Sequence, residues 1–327
     1  MSAQALNIPN VADLELSDIH PVRELESVNH LLDDHAALMR FYDENGYILL
    51  RNVLNPASVE RARKEMFAIL ERHGAITPGD TRGVWTGKPF PAAMEESREF
   101  SGTSKRLIED PDNLKIMEKI LGEPACMVPN VQYRAYAPGS AFGMAHQDGF
   151  YSPGIQDYKP VWITLTDCDR TMGGLALAVG QNRRGYFHNL AKSTFAIPRD
   201  AIPADSWATT DYHPGDVLIV HPYTPHTGLA NRSDRFRVSF DTRVQSARNP
   251  SAVAATVKSV TPNSITVNID ERGEKTLSVD KECFIRVLHP GVREKFEDFA
   301  KITQPGMRLI VVSDGNRAVM LRKAAEG

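Results

Sequence analysis

Apolar residues recur at helical spacing on both sides of one short apolar run, GYILLRNVL at residues 46–54. This pattern predicts an amphipathic helix, a buried strand and a second helix within residues 33–73. The second helix is expected to begin at Asn55 and Pro56, because asparagine caps helix N-termini and proline suits the first helical position. The next stretch, residues 76–95, is rich in glycine and proline and predicts a structured loop.

Short β-type runs dominate the middle of the chain, from residue 129 to residue 244. Gly, Pro, Asn and Asp separate them, and this spacing is typical of a β-sandwich or jelly roll. In the last run, RFRVSFDTRV, alternate side chains leave opposite faces of the strand. One face is entirely polar and is expected to border solvent or a polar cavity; it carries Arg235, Arg237, Ser239, Asp241 and Arg243. The earlier runs are VQYRAYAP, KPVWITLTDC, GGLALAVG and DVLIVHPY.

The character of the chain changes after Asn249 and Pro250. The runs SITVNID, EKTLSVD and MRLIVVSDGNRAVMLRK predict strands of a small barrel, with a hairpin turn in the last run and one helix over PGVREKFEDFAKI. We therefore predict two domains, 1–248 and 249–327. The smaller one is expected to be a packing appendage; shielding of an active-site mouth, dimerisation and a second binding site are its alternatives.

Composition narrows the possible partners. The 327 residues are 42% hydrophobic and 24% charged, which is ordinary for a globular protein. A net charge of -3 gives no broad reason to bind nucleic acid or an anionic membrane, so a small molecule is the expected partner. No apolar stretch approaches a membrane span, and the acidic N-terminus lacks the features of a signal peptide. A homo-oligomer is compatible with this composition.

The three cysteines, Cys126, Cys168 and Cys283, are widely spaced and odd in number. This usage suggests neither a disulfide framework nor a zinc knuckle, and it predicts a reducing cytoplasmic location.

One group of residues has the spacing of candidate metal ligands. In GMAHQDGFY, His146 and Asp148 lie two residues apart, so both side chains leave the same face of an extended strand. His226, at the end of the strand DVLIVHPY, is the candidate third ligand. Two histidines and one carboxylate on one face of an octahedron are the ligand set of iron(II) oxygenases. Arg237 follows His226 by 11 positions and could bind the far carboxylate of a keto acid bidentately; its alternative is a solvated strand arginine.

These segments together resemble the phytanoyl-CoA dioxygenase family of iron(II)- and 2-oxoglutarate-dependent oxygenases. The resemblance covers about residues 35–245 and rests on DENGYILLRNVLNPASVERAR, AHQDGFY, VWITLTDCDRTMGGLALAVGQNRRG and PGDVLIVHPYTPHTGLANRSDRFRVSF. It implies a mainly β fold with flanking helices, a double-stranded β-helix (a cupin-like jelly roll). It also implies that His146, Asp148 and His226 bind iron(II), that Arg237 binds 2-oxoglutarate, and that O2 is the oxidant.

The resemblance also suggests two weaker co-substrate contacts. Gln132 stands where relatives place a polar residue on the co-substrate carboxylate, and Trp162 resembles an aromatic wall of that site. A simple strand glutamine and a core tryptophan are the alternatives. His221 is a rival third ligand, although its place within LIVHP favours a packed histidine.

The expected reaction is oxidation of a small organic molecule, with succinate and CO2 as co-products. Because related halogenases need the carboxylate position vacant, Asp148 favours hydroxylation, desaturation or cyclisation over halogenation. A non-catalytic jelly-roll binding module and a cupin-type thiol dioxygenase or isomerase are the alternatives. The substrate pocket is expected to be formed by residues 76–105 and by residues after Phe150. Aromatic side chains there favour an apolar or ring-containing substrate (Trp85, Phe90, Phe150, Tyr151 and Tyr158), whereas Arg183, Arg184 and Lys192 could meet an anionic group.

Overall fold

The helices of the protein lie mainly at the N-terminal side. The computed structural model describes residues 19–90, 102–140, 142–187, 197, 201–288 and 293–324. Asn55 accepts the backbone N–H of Ala57 at 3.0 Å and caps the second helix as predicted. No helix in these ranges is long and apolar enough to cross a bilayer. The helices are α1 (His35–Asn45), α2 (Pro56–Arg72), α3 (Thr103–Ile108), α4 (Pro111–Leu121) and α5 (Phe299–Ile302).

Two sheets form the central part of the molecule. The first has the strand order β1-β8-β7-β10-β5, and the second has the order β2-β9-β6-β11-β3, with β4 also pairing with β11. Their strands are β1 (Arg23–Glu24), β2 (Tyr47–Leu50), β3 (Ala125–Met127), β4 (Gln132–Tyr136), β5 (Phe142–His146), β6 (Lys159–Thr164), β7 (Leu175–Ala178), β8 (Trp207–Thr209), β9 (Val217–Val220), β10 (His226–Gly228) and β11 (Arg237–Ser246).

The second sheet is buried on both faces. Ile48 and Leu50 of β2 pack into a core shared with α1, α2 and α4, while Tyr47 and Leu49 pack against Leu177 of the first sheet. Strand alternation therefore places helices on one side of this sheet and the first sheet on the other. Val238 and Phe240 of β11, and Phe236 directly before it, join the helix-side core. The arrangement confirms the mainly β, jelly-roll fold with flanking helices.

The third sheet is built from residues after 251. Its strands follow the order β14-β13-β12-β16-β17-β15, and β14 also pairs with β17. It has its own apolar core, which includes Val257, Ile265 and Leu309. The strands are β12 (Ala252–Thr261), β13 (Ser264–Ile269), β14 (Gly273–Ser278), β15 (Phe284–Arg286), β16 (Arg308–Asp314) and β17 (Arg317–Lys323). We call this part the C-terminal sheet.

The prediction of one helix over PGVREKFEDFAKI is wrong. A 3-10 turn at Phe296–Asp298 and the single turn α5 replace it within the part of this segment that the structure describes. The cause lies in Glu294, whose carboxylate accepts the backbone N–H groups of Val287 and Leu288 at 2.8 and 3.0 Å. These bonds hold the residue beside the end of β15.

The C-terminal sheet packs one face against the central sheets. On β16, Leu309 and Val311 point into the sheet's own core, whereas Ile310 and Val312 point the other way. The second pair joins a buried cluster with Val128, Ile155, Tyr158, Phe284 and Met320. Side chains on this face of β15 and β17 are therefore directed at the segment that follows β5.

Candidate active site

The structure brings the predicted triad together. His146 ends β5, His226 begins β10, and the two residues are direct partners across this antiparallel pair. Their ring centroids are 4.2 Å apart. Asp148 opens the next 3-10 turn, and its Oδ1 lies 3.9 Å from Nε2 of His146. One ligand atom from each residue lies within 4.8 Å of the others, close enough for all three to contact one ion.

Backbone carbonyls orient both imidazoles. Nδ1 of His146 lies 3.3 Å from the Met144 carbonyl, and Nδ1 of His226 lies 3.0 Å from the Thr224 carbonyl. A neutral ring that donates through Nδ1 presents the lone pair of Nε2 to a metal. Burial, with the neighbouring His226, lowers the pKa of His146 to about 3. His146 is therefore neutral at physiological pH, the form that binds metals.

Asp148 supplies the negative charge of the triad. Burial alone would raise the pKa of its carboxyl, but Arg243 and the two histidines lower that pKa to about 2. Nη2 of Arg243 lies 3.4 Å from Oδ1 of Asp148. The three side chains thus present two imidazoles and one carboxylate, a donor set that fits iron(II) and leaves room for other ligands.

Gln147 fixes the backbone between His146 and Asp148. Its fully buried side chain points away from them and donates to the carbonyls of Gly185 and Tyr223 at 2.8 and 2.7 Å. Its amide oxygen accepts the N–H of Phe187 at 2.8 Å. These contacts show that Gln147 is a positioning residue.

We expect Gln147→Leu to lower the free energy of unfolding by about 2–4 kcal/mol, because it leaves three buried backbone groups unpaired at roughly 1–3 kcal/mol each before relaxation. Urea unfolding of the metal-free protein measures this. Gln156→Leu is the matched control, since the Gln156 side chain is exposed. Equal midpoints for the two variants would contradict the positioning role.

Arg237 lies at the start of β11 and is 1% exposed. Its Nη1 donates to the carbonyls of Gly173, Gly174 and Leu229, and its guanidinium stacks 4.3 Å above the Tyr136 ring. Its Nε has no partner among the described atoms. No carboxylate in the described part of the chain forms an ion pair with this arginine. A buried cation with an orphaned donor fits an incoming carboxylate.

The triad and Arg237 line a common cavity. Trp162 forms part of its wall, 5% exposed and edge-on to Tyr212 at 4.9 Å. Arg134 and Asp241 face each other across β4 and β11 in a bidentate pair at 3.0 and 2.9 Å. The cavity is lined by Arg134, Tyr136, His146, Asp148, Pro160, Val161, Trp162, Leu175, Val220, His226, Gly228, Arg237 and Asp241.

Three other candidates lie outside the lining of this cavity. His221 packs against Tyr42 at 5.0 Å, and its Nδ1 accepts the N–H of Tyr223, so it is a packed histidine. Trp85 and Phe90 pack on the helix-side core. Gln132 pairs with Asp241 through the backbone, but its side chain lies outside the described part of the structure. Lys192 also lies outside the described residues.

Sequence reasoning missed the arginines around Asp148. Alternation along β11 placed Arg243 on the polar face, which was a usable signal for its approach to Asp148. Arg286 and Arg322 lie in the C-terminal sheet and carried no recognisable motif. Both are 5% exposed, on the face that packs against the central sheets.

Comparisons with known proteins assign the family. Residues 42–239 match the model of the phytanoyl-CoA dioxygenase (PhyH) family. The 1-deoxypentalenic acid 11-beta-hydroxylases of Streptomyces exfoliatus and Streptomyces arenae are 35% and 34% identical over 235 residues, which are 66% of this chain and 83% of each relative. A crystal structure of EctD from S. alaskensis with 2-oxoglutarate and 5-hydroxyectoine is 17% identical, with a TM-score of 0.49 over 75% of this chain and 88% of that one. On the family match and the two hydroxylases, the chain belongs to the phytanoyl-CoA dioxygenase (PhyH) family.

Proposed function

We propose that this protein is an iron(II)- and 2-oxoglutarate-dependent dioxygenase that hydroxylates a small organic molecule, with succinate and CO2 as co-products. The observation that carries the proposal is the shared cavity, which the His146, Asp148 and His226 donors line together with the buried Arg237, whose Nε has no hydrogen-bond partner among the described atoms. Hydroxylation, among the possible oxidations, is supported by the two hydroxylase relatives.

Each part of the cavity has a role in this proposal. His146, Asp148 and His226 would hold iron(II), while Arg237 would bind the far carboxylate of 2-oxoglutarate beside the wall formed by Trp162. Bound iron and 2-oxoglutarate supply the oxidising chemistry by activating O2. The protein itself positions the bound groups. It does so with neutral imidazoles, an ionised carboxylate and a fixed guanidinium in a largely buried site.

The proposal extends to the domains, the location and the partners of the protein. We propose that residues 1–248 form the catalytic domain and that residues 249–327 form a small β-rich module. A cytoplasmic location agrees with the three free cysteines. A small-molecule substrate is the proposed partner, and a homo-oligomer is a further expectation. Gln132 stays a proposed co-substrate contact.

The proposal is tested by succinate formation from 2-oxoglutarate by purified protein with iron(II), ascorbate and O2. We expect slow succinate release without the true substrate, and background rates for His146→Ala because one metal ligand is gone. His213→Ala is the matched control, since the 61% exposed His213 side chain contacts only Asp167 among the described residues. Absence of succinate from the wild type, together with absence of iron(II) and 2-oxoglutarate binding, would overturn the proposal and favour the binding-module alternative.

A further inference from the structure

Three arginines are buried where the C-terminal sheet meets the central sheets. Arg243 lies on β11 and is 2% exposed, while Arg286 on β15 and Arg322 on β17 are each 5% exposed. Arg286 and Arg322 are direct partners in the parallel pairing of these strands, so their side chains leave the same face. That face also carries Phe284 and Met320, which pack against the central sheets. We call these three residues the arginine cluster.

Side-chain contacts link the arginine cluster to the triad. Arg243 approaches Asp148 directly, at 3.4 Å. With its amide oxygen turned to the guanidiniums, Asn130 accepts from Nη1 of Arg243 at 2.8 Å and from Nη1 of Arg322 at 3.3 Å. The Arg286 guanidinium lies 5.8 Å from the Tyr151 ring, and this ring lies 5.8 Å from that of His146. The cluster is therefore linked by side-chain contacts to the metal donors Asp148 and His146.

Positive charge exceeds negative charge at this place. Within the described ranges, Asp148 is the one carboxylate that forms an ion pair with the cluster, and Asp241 is already held by Arg134. Burial lowers the pKa of Arg286, and the nearby Glu294 opposes that shift, but the Glu294 carboxylate also accepts the backbone N–H groups of Val287 and Leu288. Burial, together with Arg286 and Arg243, lowers the pKa of Arg322 to about 9. Nε of Arg243 and Nε of Arg286 find no partner among described atoms. Buried charges of one sign are costly unless a counter-charge is present.

We propose that the C-terminal sheet completes the substrate site, and that Arg243, Arg286 and Arg322 bind a carboxylate group of the substrate. The inference rests on the proposed function, since it places the substrate beside the metal donors. A guanidinium fork matches a carboxylate in plane and spacing, and unpaired Nε atoms supply donors for it. A singly charged group is also less costly to bury than a dianion. Arg237 is a separate site, reserved for 2-oxoglutarate.

Acetate is the probe, because it is small and carries a carboxylate as its only polar group. The protein is loaded with zinc(II), which has no redox chemistry, and with 2-oxoglutarate, which occupies the Arg237 site. Thermal unfolding midpoints are then measured during acetate titration at constant ionic strength, with acetamide as the neutral counterpart. We expect a saturable rise with acetate and none with acetamide.

The variants are Arg286→Met and Arg322→Met, and we expect each to raise the acetate dissociation constant about tenfold or more. Arg317→Met is the matched control on the same strand, because Arg317 is 43% exposed and pairs with Asp280. Wild-type acetate binding is expected in the control. The site would be refuted if acetate did not raise the thermal unfolding midpoint of the wild type, or if it raised the midpoint equally in all variants. If phosphate raised the midpoint and acetate did not, the carboxylate assignment would be refuted.

Stability of the ligand-free variants separates binding from a structural role. Removing an unpaired buried charge is expected to leave the unfolding midpoint unchanged or to raise it. Strong destabilisation by both substitutions would instead show that the arginines hold the sheets together. Binding of 2-oxoglutarate and basal succinate release are measured on the wild type alongside. Failure of the wild type in those two assays counts against the proposed function, whereas acetate titration of the unloaded protein still tests the arginine cluster.

Discussion

Replacing Asp148 with asparagine is expected to weaken iron(II) binding on the order of 100-fold or more, and to reduce 2-oxoglutarate turnover to background. Asp148 is the single charged donor of the triad, and the low pKa of its carboxyl keeps it ionised throughout the range of any assay. Asparagine preserves the size of the side chain. A divalent ion would then sit beside Arg243 without the carboxylate that now separates the two positive charges.

Iron(II) affinity is measured under anaerobic conditions by competition with a chelator, and succinate is measured in parallel. Asp167→Asn is the matched control, because the Asp167 side chain is 71% exposed and contacts His213 at the surface. The control should bind iron(II) as the wild type does. Wild-type iron affinity in Asp148→Asn, with a native circular dichroism spectrum, would remove Asp148 from the metal site.

Sequence patterns predicted the triad because each ligand is fixed locally. His146 ends β5, and the extended Gln147 places Asp148, the first residue of the next turn, on the same side; strand pairing then brings His226 to this place. The alternation of β11 likewise placed Arg237 and Arg243 on the polar face. These relations need only a strand and its neighbour, so a single sequence can carry them.

The parts that sequence did not predict depend on packing between distant segments. Burial of Arg286 and Arg322 follows from a sheet docking against residues more than 100 positions earlier, and no local pattern marks it. Helices α3 and α4 were also missed. The side-chain amide of the buried Asn113, on α4, donates to Ser58 of α2 at 2.9 Å and to the Leu107 carbonyl of α3 at 2.7 Å. Such polar contacts appear only after the helices meet.

The polar face of β11 carries two arginines with different proposed roles. Arg237 and Arg243 are six residues apart on the same face, a separation of about 20 Å along an extended strand. Asp241 lies between them and is neutralised by Arg134. In the proposed arrangement, the co-substrate carboxylate binds at the Arg237 end of this strand, and the substrate carboxylate binds near Arg243, next to Asp148 of the triad. In this arrangement the substrate side depends on the C-terminal sheet, while the co-substrate side does not.

Arg237→Met is expected to raise the dissociation constant of 2-oxoglutarate on the order of 100-fold or more, while iron(II) affinity stays near the wild-type value. The reason is that hydrogen bonds to charged groups contribute about 1.5–3 kcal/mol each. A loss of about 1.4 kcal/mol of binding free energy raises a dissociation constant about tenfold. Methionine keeps most of the volume above the Tyr136 ring but removes the charge and every donor.

Anaerobic titration of the iron(II)-loaded protein with 2-oxoglutarate measures this effect, and the 2-oxoglutarate dependence of succinate release gives KM and kcat separately. Arg235→Met is the matched control, since Arg235 is 31% exposed and faces Asp169 and Asp234 away from the cavity. Arg237→Lys should recover part of the affinity, because a point charge replaces a bidentate fork. If Arg237→Met lost iron(II) and 2-oxoglutarate binding together, the arginine would be holding the fold through the Gly173 and Gly174 carbonyls. Selective loss of 2-oxoglutarate, with partial rescue by lysine, is the result that only a co-substrate contact explains.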